Sequence, residues 1–468
     1  MSNTLLYAIL FCVVLLGLGF LLRVRLRLLQ ILYIPSAAIA GVLGFAAVQG
    51  GLHMGAAGEV TQTIMKELAV WPSWLIAVVF AGLLLERPSE KGFAEALRRG
   101  VRSGILAWII ILGQIAIGLL VYMMVVRPVT PSVPASFGQL LEVSWAGGHG
   151  SSAAMGEVYR GQDFPEGRDL AFFLATVGLV YGVLSGLVLV NIAIRRGWTA
   201  KGKMAGPVAA GAAVDFAGEA RPVAFGRTRG EVIEPMTVQV VILGLAFGAG
   251  YAMQQMLFGA AGWAFGTGSQ TAKSLSNLPL FMFTLIGGWL VRVVMERVGA
   301  GKLIDGASIQ RLVGVSMEFL IVAAISTMRM DSLAGYWLPI LLLIALAALW
   351  CTFCLVVLGR RLLPPKYWFE LGLLNYGFST ANTPQGMMLL RIIDPDMSTG
   401  AAEDYAVAAP LSAPFVGGGV VTIAVMPVLL TKVPAGVMVM ILVGCIVALY
   451  GLGRRLSASG AGMLTGGG

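Results

Sequence analysis

Two short polar stretches interrupt an otherwise apolar chain, and their residue types could bind ions. The first is VSWAGGHGSSAAMG, residues 143–156, in which three glycines surround one of the two histidines of the chain. The second is YGFSTANTP, residues 376–384. Hydroxyl and carbonyl oxygens are the ligands that a small dehydrated cation prefers, whereas the free N–H groups of a helix N-terminus favour an anion. The two stretches therefore predict a site that can hold both a cation and an anion.

The elements around these stretches are predicted to be membrane helices. Of the 468 residues, 58% are hydrophobic and only 12% are charged. The mean hydropathy of +0.86 is far above the range of a soluble domain. A bilayer core of roughly 30 Å is crossed by about 20 apolar residues in a helix. The sequence contains eleven apolar runs near that length: 4–22, 31–49, 69–86, 104–126, 170–194, 236–258, 277–295, 312–328, 333–358, 405–430 and 434–452.

The basic residues are distributed unevenly between the two sides of the predicted membrane. When the ends of the runs are assigned to alternate sides, 25 of the 32 Lys and Arg fall in the loops of one side. Because cytoplasmic loops carry an excess of Lys and Arg, that side is predicted to be cytoplasmic. We therefore expect a multi-pass protein of the cell inner membrane with its N-terminus outside and its C-terminus in the cytoplasm. The formal net charge of +9 then reports orientation, and no nucleic-acid partner is expected.

This assignment of sides requires residues 137–160 and 368–393 to enter and leave the membrane on the same side. Each segment has two predicted helical arms around a polar tip, at 147–152 and 377–382. At 1.5 Å per residue an arm reaches about 12–15 Å, which is roughly half of the hydrocarbon thickness. The two segments are therefore predicted to be re-entrant hairpins that enter from opposite sides. In the second hairpin, Thr383 is the predicted N-cap of the returning arm.

The chain is predicted to consist of two halves of opposite orientation. GGHGSSAAM, 147–155, aligns with YGFSTANTP, 376–384, at an offset of 229 residues. The expected fold is an all-α polytopic membrane protein with two inverted five-helix repeats, each with a re-entrant hairpin, plus one extra C-terminal transmembrane helix. The predicted parts are the first repeat 1–194, a cytoplasmic linker 195–235, the inverted repeat 236–430, and the extra helix with its cytoplasmic tail, 431–468.

At these residues the chain resembles the bacterial sodium/glutamate symporter family. The resemblance rests on SWAGGHGSSAAM and YGFSTANTPQGMM at the tips, and on ATVGLVYGVLSG, GVSMEFLIVAAIS and APLSAPFVGG elsewhere. It covers most of residues 25–430, and it implies ten helices in two inverted halves, re-entrant loops from opposite sides, and sodium-driven uptake of glutamate. The chain departs from the family in its Gly-Phe-Ser-Thr tip, in Glu318, in a longer linker and in the extra helix.

Carried over by position, the resemblance predicts that the two tips bind the substrate and the coupling ion. Sodium ligands are expected at Gly147, Ser379 and Thr380. The coupling ion is Na⁺, and no resident cofactor is expected. The residues expected to bind the substrate are Gly148, His149, Gly150, Ser151, Ser152, Ser379, Thr380, Asn382 and Thr383.

Several polar residues leave alternatives open. Glu318 lies inside a predicted span, where a carboxylate is costly and therefore a functional candidate. It is predicted to bind sodium, to carry a proton or to meet a substrate amine; a pairing role with Arg311 and an interfacial position are the alternatives. His149 could relay protons, but hydrogen bonding to neighbouring backbone at the tip is the favoured interpretation. The sequence does not determine the direction of three further side chains on the hairpin arms: Glu142, Asn375 and Gln385.

A secondary active transporter explains the alternation, the repeats and the paired hairpins together. We expect sodium-coupled symport of glutamate or a related acidic amino acid or carboxylate by alternating access. A proton-coupled carboxylate transporter is the alternative, followed by an ion channel. The expected partners are the substrate, membrane lipid and a second copy of the chain, because the scaffold helices could form a homodimer.

The sequence does not favour an enzyme. It contains no GxxxxGK[ST] motif for nucleotide phosphates, and no two-His metal pair or Asp dyad stands within an apolar run. Cys351 and Cys354 form a C-x-x-C inside an apolar run. In that setting they are interpreted as small packing residues rather than as a redox or zinc motif.

Overall fold

The computed structural model describes a chain of helices connected by short loops. The described residues are 2–31, 34–52, 55–85, 93–200, 234–266, 279–395, 398–412, 415–419 and 421–464. The structure is 85% helical, with no strand among these residues, which confirms the predicted all-α class. Residues 201–233 of the predicted linker 195–235 and residues 465–468 of the predicted tail lie outside the described residues.

Twenty α-helices are described along the chain. Before the linker they are α1 Ser2–Arg25, α2 Arg27–Ile31, α3 Ser36–Leu52, α4 Gly55–Leu68, α5 Trp71–Leu83, α6 Phe93–Val121, α7 Arg127–Val129, α8 Leu140–Trp145, α9 Gly148–Gly161 and α10 Glu166–Arg196. After it they are α11 Pro235–Phe265, α12 Leu280–Arg297, α13 Gly306–Ser326, α14 Trp337–Phe353, α15 Arg360–Leu362, α16 Trp368–Thr380, α17 Thr383–Ile393, α18 Ala401–Ser412, α19 Met426–Lys432 and α20 Ala435–Leu464.

Within the described part of the chain, eight helical segments are long and apolar enough to cross a membrane. Such lengths of apolar helix are typical of membrane proteins, and the chain is therefore a membrane protein of the α-helical type. The eight segments are Thr4–Arg25, Gly58–Leu83, Gly100–Val129, Glu166–Arg196, Pro235–Phe265, Gly306–Ser326, Trp337–Leu362 and Ala435–Ser457.

Three of the eleven predicted spans differ from these segments. The run 31–49 corresponds to α3, whose 17 residues extend only about 25 Å. The run 277–295 corresponds to α12, which carries Arg292, Glu296 and Arg297 in its second half and is therefore more charged than the eight membrane-length segments. The span predicted at 69–86 begins earlier in the structure, because α4 and α5 together form the segment Gly58–Leu83.

A fourth predicted span, 405–430, is not continuous. α18 ends at Ser412, and helical structure begins again as a π-helical turn at Val421–Val425 that leads into α19. Between them Gly417 and Gly418 have φ angles of +69° and +88°. A right-handed helix cannot contain such angles, and glycine is the residue that adopts them at little cost. The prediction of one unbroken helix here was wrong.

The helices form two compact units, and each takes helices from both sides of the linker. Unit 1 contains α1, α3, α4, α5, α11, α12 and α13. Its helices pack closely: the Thr284 hydroxyl of α12 donates to the Ala77 carbonyl of α5 at 2.8 Å, and Gly250 of α11 lies directly against the backbone of Thr284.

Unit 2 contains α6 to α10 and α14 to α20. The last helix is joined to the unit through α6, since the Arg102 guanidinium donates to the Leu456 carbonyl at 2.7 Å. Both segments predicted as hairpins, 137–160 and 368–393, fall in unit 2. The two units are not the two predicted halves, because each unit mixes helices from both. The inverted relation between the halves 1–194 and 236–430 stays a prediction.

Candidate functional site

The first predicted hairpin is a pair of short helices whose outer ends meet. α8 ends at Trp145, and α9 begins at Gly148. At the other end of the pair, the Ser136 hydroxyl donates to the side-chain oxygen of Gln162. The Tyr159 hydroxyl donates to the Ser136 carbonyl at 3.5 Å. The chain therefore reverses direction at 146–147.

The second predicted hairpin has the same plan. α16 ends at Thr380 and α17 begins at Thr383. The arms pack glycine against glycine, since Gly377 lies directly against the backbone of Gly386. Asn382 is the N-cap, because its side-chain oxygen accepts from the Gln385 N–H at 3.0 Å. The prediction of Thr383 as the cap was wrong by one residue; Asn382 is extended and precedes the first helical residue.

The tips of the two helix pairs touch each other. Gly148, at the first tip, has a φ of +65°, and a Cβ placed on it would lie 2.8 Å from the carbonyl oxygen of Ala381 at the second tip. A larger residue would therefore meet both an unfavourable φ and the backbone of the other tip. Glycine is needed at position 148 because it allows the two chain reversals to meet.

A third interruption of helical structure reaches the same place. Gly418, in the break between α18 and α19, lies against the Ser151 hydroxyl, and a Cβ on it would be 3.3 Å from Cα of Gly147. The neighbouring Gly417 packs on Phe378: a Cβ placed on Gly417 would lie 2.6 Å from Cζ of the ring. Three breaks in helical backbone therefore converge inside unit 2.

α10 forms a flat wall beside the second helix pair. Its residues Gly178, Gly182 and Gly186 stand four apart and so face one side of the helix. A Cβ on Gly178 would lie 2.6 Å from the Thr380 carbonyl, and one on Gly186 would lie 2.7 Å from the Leu389 side chain. The stripe of small residues lets α10 approach the tip closely, as is common between membrane helices.

Buried hydrogen bonds hold both tips in position. Gln114 of α6 donates from Nε2 to the Ser379 carbonyl at 2.8 Å. His149 at the first tip is hydrogen-bonded through Nε2 to the Thr176 hydroxyl of α10 at 3.0 Å. The favoured interpretation expected His149 to bond to the backbone of the tip. Its partner is instead a side chain of a neighbouring helix.

Some buried polar atoms near the tips have no hydrogen-bond partner among the described residues. The indole N–H of Trp145, the last residue of α8, is a fully buried donor of this kind. Gln114 leaves its side-chain oxygen unpaired while its nitrogen holds the second tip. Buried polar groups in proteins are nearly always paired, so unpaired ones beside a chain break point to a ligand. Two further acceptors, on Gln139 and Glu142, are of the same kind.

Most of the residues predicted to bind substrate or sodium come together in unit 2. They are Gly147, Gly148, His149, Gly150, Ser151 and Ser152 from the first tip, with Ser379, Thr380, Asn382 and Thr383 from the second. The hydroxyls of Ser379 and Thr380 both donate to the Tyr376 carbonyl at 3.0 Å. The Thr380 hydroxyl also accepts from Nε2 of Gln385 at 3.3 Å. The predicted role of both residues as sodium ligands stays a prediction.

Glu318, in contrast, belongs to α13 of unit 1, whereas both tips belong to unit 2. Its side chain is exposed. The charged group that acts on its carboxylate is Arg23 of α1, and not Arg311 as the pairing interpretation expected. Its predicted roles in ion or substrate binding stay predictions.

The cysteines of the C-x-x-C motif are free and buried. The Cys351 thiol lies 3.4 Å from Nε2 of Gln114 and 3.8 Å from the Ser379 hydroxyl. It therefore packs beside the second tip. Among the described residues no group of three or more His, Cys, Asp and Glu could hold a metal ion.

A polar cavity of about 360 Å³ lies in unit 2 where α10 begins. Within it the Ser332 hydroxyl donates to the Asp169 carboxylate at 2.8 Å. Burial, together with the nearby carboxylate of Glu166, raises the pKa of the Tyr336 phenol, which therefore stays protonated. The cavity mixes one positive charge with several carboxylates, and its polar lining includes Glu166, Asp169, Arg329, Asp331, Ser332 and Tyr336.

Sequence reasoning missed the third break at Gly417–Gly419 and the unpaired donor of Trp145. Three consecutive glycines after Pro414 could have indicated the break, since an apolar run of span length rarely needs them. No pattern in the sequence could have indicated that the Trp145 N–H lacks a partner, because that depends on the helices packed around it.

No protein-family model, no curated protein and no solved structure matches this chain.

Proposed function

We propose that the chain is a secondary active transporter that couples the uptake of an acidic amino acid or related carboxylate to sodium. The observation that carries the proposal is the contact between Gly148 and Ala381, which brings two chain reversals together inside an apolar protein. Non-helical backbone within a membrane is tolerated only where it is packed in protein or lines a cavity. Inverted-repeat transporters place their sites where such discontinuous helices meet.

The tips offer donors to an anionic substrate group. α9 begins at Gly148 and α17 at Thr383, so both helices direct their N-termini toward the meeting point of the tips. An N-terminus carries unpaired N–H groups and about half a positive charge. The buried indole N–H of Trp145, whose ring lies against Gly178 beside the second tip, adds a third donor. In this proposal these groups and the hydroxyls of Ser151 and Thr383 bind the substrate carboxylate.

The same region offers oxygen atoms to a cation. The carbonyls at the C-terminal ends of α8 and α16 lack helical partners by construction of the helix. The hydroxyls of Ser379 and Thr380 lie beside the carbonyls at the end of α16. Hard oxygen ligands of this kind suit a small cation such as Na⁺. Binding both ions at one meeting point would couple them, because each reduces the electrostatic cost of burying the other.

The proposed mechanism is alternating access. Unit 2 holds both helix pairs and would carry the substrate, and unit 1 would serve as the scaffold and as the surface of a homodimer. We propose that the hairpins are re-entrant, that the two halves form an inverted repeat, and that the protein lies in the cell inner membrane with its N-terminus outside. These proposals rest on the distribution of Lys and Arg and on the alignment of the two tips.

Uptake by reconstituted protein tests the proposal. Vesicles loaded with choline chloride are diluted into sodium chloride with labelled glutamate, aspartate or a dicarboxylate. If one sodium ion is coupled to each solute, a roughly tenfold sodium gradient supports about tenfold accumulation of the solute. The reason is that a tenfold concentration ratio of either species across the membrane corresponds to about 1.4 kcal/mol. Uptake no faster than in empty vesicles for every solute would contradict the proposal.

The two alternatives give different results in the same vesicles. A proton-coupled carboxylate transporter would accumulate solute under an inward proton gradient and ignore sodium. An ion channel would pass its solute down the gradient without saturation, and it would usually assemble several subunits around one pore. A single chain with two converging tips fits a carrier better than a pore.

A further inference from the structure

We infer that Glu142 and Gln139 form the binding site of the coupling cation, a sodium ion. The site lies where the first hairpin packs on residues 418–422, between α18 and α19. This inference rests on the proposed function, but it assigns the sodium ion to Glu142 and Gln139 in place of the tip oxygens of Ser379 and Thr380. The arguments for it are the burial of the carboxylate, the unpaired oxygens around it and the absence of a cationic side chain among the described residues nearby.

Glu142 is a fully buried carboxylate in the arm of the first hairpin. Its relative exposure is 0%, and it lies five residues before the tip glycine Gly147. Its Oε1 accepts from the Gly418 N–H at 3.1 Å. The positive φ of Gly418 turns the backbone so that this N–H faces the hairpin and not a helical carbonyl. The helical break between α18 and α19 therefore lies at the point of contact with Glu142.

Two acceptor oxygens at this place are left without a hydrogen bond. Oε2 of Glu142 and Oε1 of Gln139 are both buried, and neither has a partner at hydrogen-bonding distance in the described part of the chain. The Gly417 N–H and the Thr422 hydroxyl lie near the carboxylate of Glu142 as well. The two residues stand three apart at the junction of a 3₁₀ turn with α8, so they share one face. Two acceptor oxygens cannot form a hydrogen bond with each other, because neither carries a proton to donate. A bound cation would interact favourably with both.

Both side chains face the same segment of the broken helix. Gln139 donates from Nε2 to the Thr422 carbonyl at 2.5 Å. The Thr422 hydroxyl accepts from the Gly418 N–H at 3.2 Å, which also donates to Glu142. A carboxylate, an amide oxygen and a hydroxyl oxygen are thus brought to the same short segment, 418–422. Oxygen atoms are the ligands of hard cations, and the single negative charge of Glu142 balances the charge of a monovalent one.

The charge of Glu142 has no counterpart in the surrounding residues that the structure describes. No ion pair to Glu142 is found there, and the charged or titratable side chain that faces it is the Tyr159 phenol of α9, which is neutral when protonated. An isolated carboxylate at this burial is strongly unfavourable, so the group must be either protonated or neutralised by a bound cation. Sodium binding and protonation therefore compete at the same oxygen atoms.

Glu370 provides a contrast within unit 2. It is also buried and also has one unpaired oxygen. Its other oxygen accepts from the Ala200 N–H at 2.7 Å, beside residues that lie outside the described ones. The other unpaired acceptor of its helix, Oδ1 of Asn375, stands five residues away and so faces a different side of α16. The argument for a cation therefore applies to Glu142 and not to Glu370.

The inference is tested by the effect of sodium on the unfolding of the purified protein, with no substrate and no transport. Sodium chloride replaces choline chloride at constant ionic strength, and thermal unfolding is followed in detergent. At a sodium concentration about ten times its dissociation constant, binding shifts the unfolding equilibrium about elevenfold toward the folded protein. We expect this shift in the unaltered protein and expect it to weaken as the pH falls, because protons compete for Glu142.

Three variants locate the effect. Glu142→Gln keeps the shape of the side chain and an oxygen for the Gly418 N–H but removes the charge, and we expect it to fold and to lose the sodium shift. Gln139→Leu should keep the shift but need a several-fold higher sodium concentration to reach it. Glu370→Gln, the matched buried control, should respond to sodium as the unaltered protein does.

The outcomes separate this inference from the proposed function. Full retention of the sodium shift in Glu142→Gln, or its loss in Glu370→Gln alone, would overturn the inference. So would an unaltered protein that responds to pH but not to sodium, since Glu142 would then carry a proton. A sodium shift that depends on Glu142 supports the site even if none of the tested solutes is transported.

Discussion

Gly148 and Ala381 come from chain reversals that are separated by more than two hundred residues, yet a Cβ on Gly148 would lie 2.8 Å from the Ala381 carbonyl. The contact explains why the first tip needs glycine: the residue has a φ of +65°, and its missing side chain leaves room for the other tip. Any force that separates the tips would open the region on which both proposals rest.

Gly148→Ala is expected to impair transport more than it impairs folding. The left-handed conformation costs an alanine roughly 1–2 kcal/mol, and the Ala381 carbonyl adds a steric clash that moves the tips apart. Gly197→Ala is the matched control, since Gly197 has a φ of +66° with nothing within 4 Å of its built Cβ. Thermal unfolding and initial uptake rates distinguish the two. Equal uptake by both variants would mean that contact of the tips has no role in transport.

Gln114→Leu is expected to weaken substrate affinity by displacing the second tip. The change leaves the Ser379 carbonyl without its buried donor, which costs roughly 1–3 kcal/mol. Gln239→Leu removes a similar bond, from Nε2 of Gln239 to the Leu303 carbonyl at 2.8 Å, in unit 1. Both variants should lose stability, but only Gln114→Leu should raise the KM for uptake. A raised KM in both would assign the effect to general destabilisation.

The bond between His149 and Thr176 allows the two interpretations of the histidine to be separated. If the bond is structural, as the geometry favours, His149→Gln and Thr176→Val destabilise the protein together. Their double-mutant cycle should then give a coupling of about 0.5–1.5 kcal/mol. Uptake by His149→Gln should keep the pH profile of the unaltered protein. A profile that becomes flat in this variant would instead support proton relay through His149.

Arg329→Gln is expected to raise the KM for an anionic solute with little change in maximal rate. Arg329 supplies the positive charge of the polar cavity that opens near the start of α10, and a charge at an entry route mainly affects association. The effect should shrink as ionic strength rises, because at 0.1 M salt the attraction between exposed charges is largely screened beyond about 10 Å. Arg127→Gln, which removes an exposed charge elsewhere, is the control. An unchanged KM in Arg329→Gln would exclude the cavity from the entry route.

The helix breaks at the two tips could be predicted from local sequence. Gly-Gly-His-Gly and Ser-Thr-Ala-Asn-Thr-Pro cannot continue an apolar helix, because glycine, proline and capping side chains favour ends and turns. The break at 415–419 carries three glycines as well, but it follows an apolar segment and was hidden by the hydropathy of its flanks. Hydropathy reports the average environment of a segment and not whether its backbone is continuous.

The grouping of the helices could not be predicted. The sequence indicated two consecutive halves, whereas the compact units each combine helices from before and after the linker. Helix packing depends on the shapes of faces that are distant in sequence, such as the glycine stripe of α10 that receives the second tip. Periodicity along one helix does not specify which other helix will cover that face.

Run length and local backbone preference are enough to identify a helical membrane protein and to locate its two polar interruptions, and both can be read from the amino-acid sequence. That the interruptions meet, and that Glu142 faces a third break at Gly418, 276 residues away in the chain, depends on how the helices pack. Packing determines which group becomes the partner of a buried polar atom. A carboxylate in an apolar segment has a predictable cost, but which group offsets that cost is visible only when the helices are assembled.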